Sequence, residues 1–149
     1  RPLMDELEAL KDQAARQEEK YLRLAAEYDN FRKRTAKEKE AIWNDAKADA
    51  ALAFLPVYDN LERALKQETA DEAYKKGVEM TMNQLKTVLE KLGITEIEAL
   101  GQPFDPALHN AVMHIEDENF GENTVAEVFQ AGFRLGDKVV RFAMVKVAN

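Results

Sequence analysis

The sequence predicts an α+β protein with a long N-terminal coiled-coil helix, a short helical hairpin and a small C-terminal all-β domain. Residues 3–50 contain no Gly and no internal Pro, so one helix can run through all of them. Residues 94–149 hold most of the glycines, and their apolar residues alternate in short runs that are typical of strands. The predicted domains are therefore 1–50, 51–93 and 94–149.

A narrow apolar stripe follows the first helix at alternating steps of four and three residues. A stripe of this width on an extended helix is typical of a coiled coil, most simply with a second copy of the chain. The strict repeat fades after Thr35, and Ile42 and Trp43 restart it in a shifted phase. We therefore expect close pairing over residues 3–31 and a divergence or bend between about 38 and 50. The stripe consists of Leu3, Leu7, Leu10, Ala14, Gln17, Tyr21, Leu24, Tyr28, Phe31 and Thr35.

Residues 51–93 predict two short amphipathic helices. Pro56 either opens or kinks the first of them, and residues 69–72 have the spacing of a capping box before the second. Gly93 is a suitable C-terminal stop. A hairpin of this size buries too little apolar surface alone, so we expect two copies to form a four-helix bundle in the dimer.

The C-terminal residues predict short strands at 94–100, 111–115 and 125–131, followed by a hairpin. The hairpin pairs 133–135 with 138–147 across a two-residue turn. Both faces of its last strand are apolar, so that strand is either central in a sheet or meets a partner.

Composition narrows the classes of function. The formal net charge is −7, and the acidic excess lies in residues 51–149, which favours a protein partner with basic patches over a nucleic-acid backbone. The chain has no Cys and no run of about 20 apolar residues, and no signal peptide is visible, so we expect a reducing compartment and no membrane span.

No motif in the chain indicates catalysis. The chain contains no Ser, and its carboxylates mostly occur beside Lys or Arg. His109 and His114 are the two histidines, and a metal site would need further ligands, of which Asp105 and Glu116 are the nearest candidates. We therefore expect no enzyme activity, no metal and no cofactor.

A basic run at residues 32–39 leaves three interpretations open. It is a solvated helix face, a contact with an acidic protein surface, or a nucleic-acid site. A DNA-binding basic region of the leucine-zipper type would normally precede the heptads rather than follow them.

Four segments, in one order along the chain, resemble the motifs of a known family. They are residues 28–34 (YDNFRKR), 55–65 (LPVYDNLERAL), 104–112 (FDPALHNAV) and 132–147 (GFRLGDKVVRFAMVKV). The family is GrpE. The resemblance implies an adenyl-nucleotide exchange factor that binds the ATPase domain of a DnaK-type chaperone, opens its nucleotide cleft and promotes ADP release during protein folding and the heat-shock response.

The resemblance also implies a homodimer, which we expect in the bacterial cytoplasm or, as an alternative, in an organelle matrix. From the charge and hydropathy of the chain we expect neither a nucleic-acid partner nor a membrane partner. This sequence departs from the family at Ala41, where some members have a lysine that makes a second contact with the chaperone. A structural coiled-coil scaffold with a β-domain binding module is the alternative function. The implied chaperone-binding residues are Arg32, Arg63, Phe104, Pro106, Phe129 and Val147. The expected dimerisation residues are Leu3, Leu7, Leu10, Leu24, Tyr28, Phe31, Leu61, Gly77, Val78 and Leu85.

Overall fold

Two helices precede six short strands in the computed structural model, which describes residues 1–149. The chain divides into two compact units, Arg1–Trp43 and Asn44–Asn149. This order of elements confirms the predicted α+β class. The elements are α1 Pro2–Leu65, α2 Glu72–Lys91, β1 Ile94–Glu96, β2 His109–Ile115, β3 Thr124–Gln130, β4 Phe133–Leu135, β5 Lys138–Arg141 and β6 Ala143–Ala148.

The first unit is helical throughout and has no core of its own. None of residues 1–43 is buried, and Trp43 at its end is 67% exposed. Its surface charges pair one turn apart, as Lys33 does with Asp29 at 3.0 Å. The apolar stripe of this unit is therefore accessible, and its pairing with a second copy stays a prediction.

Helix α1 continues through Pro56, so Pro56 does not open a separate helix, and the predicted first helix of the hairpin is the C-terminal part of α1. A proline inside a helix removes one hydrogen bond and crowds the preceding turn, at a cost of about 3 kcal/mol. Leu55 and Tyr58 flank Pro56 on the buried face and are 1% and 2% exposed, whereas Pro56 itself is exposed. Burial of these two large side chains offsets the defect.

Helix α2 begins at Glu72, and Asp71 directly before it is the N-cap. The Asp71 carboxylate accepts a hydrogen bond from the Tyr74 backbone N–H at 3.1 Å. Thr69 instead accepts a bond from the Asp71 N–H, so the predicted capping box at 69–72 is shifted. Gly93 has φ +79° just after the helix, a conformation that favours glycine and confirms the predicted stop.

The strands form two three-stranded sheets. The first has the order β1-β4-β5 with antiparallel neighbours, and the second has the order β2-β6-β3. Strand β6 is parallel to β2 and antiparallel to β3. Its central position confirms one of the two predicted reasons for its apolar faces.

Two predicted strands differ from those in the structure. The first strand ends at Glu96 rather than at residue 100, although Ile97 and Ala99 remain buried. The predicted strand 138–147 is split at Phe142, because β5 belongs to one sheet and β6 to the other. Phe142 lies at this crossing and is 46% exposed.

Two apolar clusters stabilise the second unit. One joins both helices to the first sheet and includes Leu55, Leu89 and Phe133. The other lies on the second sheet and includes Val125 and Val145, both fully buried. The first cluster attaches the C-terminal half of α1 to the sheets, which positions the site described below.

Gly132 brings the two sheets into close contact. A Cβ atom at this position would lie 2.4 Å from the backbone nitrogen of Ala143 and 2.9 Å from the carbonyl oxygen of Arg141. No side chain fits there without movement of the backbone. The glycine therefore allows the chain to approach the segment where it crosses between sheets.

We expect Gly132→Ala to lower the free energy of unfolding by about 3 kcal/mol, because its Cβ would overlap the backbone of Ala143. Urea denaturation followed by tyrosine fluorescence measures this loss. Gly121→Ala is the matched control, since its Cβ would meet only the Thr124 hydroxyl at 3.4 Å. Equal stability of the two variants would contradict the prediction.

We also expect the first unit to melt reversibly at a lower temperature than the second. Its stripe contains the polar residues Gln17 and Thr35, and polar residues in a coiled-coil seam lower its stability. Heating followed by far-UV circular dichroism should show two transitions. A single transition that coincides with the loss of β structure would refute this.

Candidate functional site

The candidate site lies where the end of α1 meets β3. Arg63 on α1 and Phe129 on β3 both line one cleft of about 150 Å³, together with Asp59 and Gln130. Arg63 is exposed and donates a hydrogen bond to the Asn60 side chain at 3.3 Å. The structure thus places Arg63 and Phe129, two of the predicted chaperone-binding residues, beside each other although they are far apart in the sequence.

Phe129 is available at this surface. Its side chain is 42% exposed, and the Lys146 ammonium lies 5.7 Å from its ring centroid. Lys146 also pairs with Glu127 at 2.8 Å. An exposed aromatic ring beside a cation is a suitable anchor for a protein partner, because aromatic side chains provide much of the binding energy at interfaces.

An ion pair beneath the cleft joins the helix to the β strands. Both terminal nitrogens of the Arg141 guanidinium donate to the Asp59 carboxylate, at 2.8 and 2.9 Å. The two side chains are only 14% and 19% exposed. Arg141 also donates to the carbonyl oxygen of Ala131 at 2.6 and 3.0 Å. Since the carboxylate is held in two-point geometry, the pair restricts how β5 lies against α1.

Aromatic packing supports the same junction. The rings of Tyr58 and Phe133 meet edge to face with centroids 4.9 Å apart, and the Arg141 guanidinium lies 5.7 Å from the Phe133 ring. Burial, followed by nearby carboxylates, raises the pKa of the Tyr58 phenol above its usual range. Tyr58 is therefore neutral and acts as a packing group.

A larger and more acidic cleft of about 520 Å³ lies beside this junction. It is lined by Glu62, Glu96 and Glu98, with Lys66 at its edge. Burial raises the pKa of the Glu96 carboxyl, and the Lys86 ammonium partly opposes this change. Together the glutamates give this side of the molecule a negative field.

Phe104 and Pro106 lie on a loop between β1 and β2. Pro106 is exposed, whereas Phe104 is half-buried and packs on the second cluster. The loop is held by His109, whose Nδ1 accepts a hydrogen bond from the Asp105 N–H at 3.1 Å. His109 is 4% exposed, and its Nε2 has no hydrogen-bond partner. The buried imidazole of His109 thus fixes the conformation of this loop.

Val147 was expected to contact the chaperone, and the structure contradicts this prediction. Its side chain is fully buried in the second cluster. Val147 shares the buried face of the central strand with Ala143 and Val145, whereas Met144 and Lys146 on the opposite face are partly exposed. It supports the sheet that carries Phe129.

Arg32 belongs to the first unit and is described there alone. It donates to the Asp29 carboxylate at 3.3 Å, and its guanidinium lies 5.9 Å from the Tyr28 ring. Its side chain is 65% exposed. The cation is therefore accessible, but only weakly held by its own helix.

The expected dimerisation residues have different surroundings in the two units. Those on the first unit are at least half exposed: Leu3, Leu7, Leu10, Leu24, Tyr28 and Phe31. In the second unit, Leu61 and Leu85 pack against the first cluster of their own chain. Val78 is half-buried, and a Cβ at Gly77 would meet nothing within 4 Å. Gly77 is therefore free of steric constraint within one chain.

Sequence reasoning missed the residues that fix the junction. Asp59 and Arg141 were not singled out as partners, and neither was the pair of Lys138 with Asp45 at 2.6 Å. The sequence signal for this pair is Arg141 itself, a cation placed between the apolar residues Val140 and Phe142. Neither helix is apolar enough over a sufficient length to cross a bilayer, and no three acidic or histidine side chains converge as a metal would require.

The comparisons with known proteins agree with these observations. The family model for GrpE matches residues 2–149. The chain is 58% identical to Protein GrpE of Clostridium acetobutylicum over 144 residues, which cover 97% of this chain and 68% of that protein. It is 49% identical to Protein GrpE of Clostridium tetani over 147 residues, covering 99% of this chain and 70% of that protein.

A more distant relative, Protein GrpE of Geobacillus stearothermophilus, is 48% identical over 133 residues, which cover 87% of this chain and 60% of that protein. The chain thus spans about two thirds of the length of the curated relatives it matches. The match extends over both units and includes the four motifs described above. These findings favour the exchange-factor interpretation over the scaffold, and the chain belongs to the GrpE family.

Proposed function

We propose that this chain is an adenyl-nucleotide exchange factor that binds the ATPase domain of a DnaK-type chaperone, opens its nucleotide cleft and promotes ADP release. The observation that carries the proposal is the shared cleft of Arg63 and Phe129. Arg63 would pair with a carboxylate of the chaperone, and Phe129 would bury its ring against an apolar patch. Pro106 would extend the contact along the neighbouring loop.

The proposed activity requires no chemistry from the side chains of this chain. The factor binds the open form of the ATPase domain more tightly than the closed form that holds ADP, so it shifts the population toward the open form. Because the coupling is reciprocal, bound ADP weakens the affinity of the chaperone for the exchange factor as much as the exchange factor weakens its affinity for ADP. A difference of about 5.5 kcal/mol would convert a 1:99 equilibrium to 99:1.

We further propose that the working form is a homodimer. The accessible stripe of the first unit supports pairing through a coiled coil, since an apolar stripe of this length is costly to leave in water. Exposed apolar residues of the second unit, such as Phe54, Tyr74 and Met80, support a four-helix bundle in which α2 takes part. We place the protein in the bacterial cytoplasm, because the matched relatives are bacterial.

Replacing both anchors of the cleft should abolish exchange. We expect the Arg63→Ala, Phe129→Ala double variant to lose the acceleration of ADP release, because it removes the cation and the ring from one surface. Stopped-flow release of a fluorescent ADP analogue from a DnaK-type chaperone measures the rate. Loss of two contacts of about 2 kcal/mol each predicts binding weaker by about 1,000-fold.

Arg16→Ala is the matched control, since it removes an exposed arginine from the first unit, which does not line the cleft. It should retain full acceleration. Acceleration by the double variant equal to that of the parent chain would contradict the assignment of the cleft. No acceleration by the parent chain, when it is folded and dimeric, would favour the scaffold instead.

The ion pair of Asp59 and Arg141 should hold Arg63 and Phe129 in position at the cleft. We expect Asp59→Asn to lower the free energy of unfolding by about 3 kcal/mol, because it leaves the Arg141 cation buried without a counter-charge. It should also reduce acceleration of ADP release by about 10-fold at a temperature where the variant is folded, since Arg63 and Phe129 would no longer be held together.

The Asp59→Asn, Arg141→Gln double variant separates the two effects. Removal of both charges should recover part of the lost stability, and a double-mutant cycle by urea denaturation measures the coupling. If this double variant also recovers full exchange activity, the pair provides stability alone and has no positioning role.

A further inference from the structure

Strand β2 has one free edge. In the order β2-β6-β3 it pairs only with β6, so the backbone groups on its other side have no strand partner. An unpaired edge offers a row of N–H donors and C=O acceptors to another extended chain. β2 is seven residues long, which makes this row one of the two longest in the β domain.

Strand β2 also lacks the charged residues that usually protect an edge. The other three edge strands contain a charged side chain: Glu96 in β1, Glu127 in β3 and Lys138 in β5. The sequence of β2, HNAVMHI, contains no Lys, Arg, Asp, Glu or Pro. Since charges and prolines on an edge prevent strand addition, β2 is the one edge of the two sheets that is open to it.

The exposed side chains of β2 include two large apolar ones, Val112 and Met113, beside the polar Asn110 and His114. Val112 and Met113 are 48% and 50% exposed. A bulge interrupts the β2 ladder between Ala111 and Met113, which leaves Val112 without a partner in β6. The ladder is regular on both sides of this bulge, at His109–Ala111 and at Met113–Ile115, and the second stretch ends beside a group of acidic residues.

The end of this edge is strongly acidic. Glu116, Asp117 and Glu118 follow Ile115 directly, and Glu116 and Glu118 are exposed. A chain that pairs along residues 113–115 would place one of its ends beside these carboxylates. Charge complementarity therefore selects a peptide with basic residues at that end.

We propose that the β2 edge binds an extended segment of a partner protein, with apolar side chains and a basic end, by strand addition. Since Ile115 and Met113 direct their backbone groups toward β6, the N–H and C=O of His114 are the ones that bond the segment beside the acidic end. Met113 packs against an apolar side chain of the segment, and the carboxylates of residues 116–118 fix its direction. This surface is distinct from the cleft of Arg63 and Phe129, and it acts as a second binding site on the β domain.

The probe is a fluorescein-labelled peptide of alternating Thr and Val, with two lysines at its C-terminus, and a second peptide with the lysines at its N-terminus. Fluorescence anisotropy with the full chain, in the absence of any chaperone, measures binding. We expect saturable binding of one of the two peptides. We expect at least a 10-fold loss when alternate peptide amides are N-methylated, because this removes the donors of the ladder.

Met113→Lys should weaken peptide binding by at least 10-fold, since it gives β2 a charged side chain of the kind that opposes strand addition at the other edges. Thr95→Lys is the matched control, because it adds the same charge to the β1 edge and should leave binding unchanged. Amide hydrogen exchange of the parent chain gives a readout without mutation, and the outward-facing His114 amide should exchange about 10-fold more slowly with peptide bound.

Failure of both peptides to bind the folded parent chain would overturn the proposal. Equal losses in Met113→Lys and Thr95→Lys, or tight binding of the N-methylated peptide, would also overturn it. Self-association beyond a dimer that Met113→Lys removes would assign the edge to a second copy of the chain instead. Arg63→Ala should bind the peptide normally, which keeps this test separate from that of nucleotide exchange.

Discussion

The arrangement of the second unit depends on the ion pair between Asp59 and Arg141. Apolar packing by itself is weakly directional, and the cluster of Leu55, Leu89 and Phe133 would tolerate small rotations of the first sheet on α1. A two-point contact between a guanidinium and a carboxylate, closed by the Ala131 carbonyl, selects one orientation. A buried pair of this kind adds less to net stability than to the choice of one structure, because desolvation opposes its attraction.

A single orientation of the sheet on α1 matters because the two sides of the cleft come from different elements. The C-terminal end of α1 carries Arg63 and the second sheet carries Phe129, and the fold must hold both on one surface. Gly132 serves the same purpose from the other side, since it lets the sheets meet where the chain crosses from β5 to β6. A binding surface shared by several elements depends on contacts that lie outside it.

Periodicity in the sequence predicted the helices and most strands, because local patterns of apolar residues decide them. It failed where tertiary contacts override local rules. Pro56 remains within α1 because Leu55 and Tyr58 are buried beside it, and the last strand divides at Phe142 because the chain changes sheets. The resemblance to GrpE indicated Arg63 and Phe129, but no local pattern could predict their shared cleft or the pairing of Asp59 with Arg141. Those depend on the tertiary fold.

The position of Trp43 has a spectroscopic consequence. It is the single tryptophan of the chain, it is exposed, and it is the last residue of the first unit. Indole emission shifts to shorter wavelength when the ring leaves water, so it reports on the surroundings of this one helical segment. The sheets contain no tryptophan. Fluorescence excited at the red edge of the absorption band therefore follows the end of the first unit without a background from the β domain.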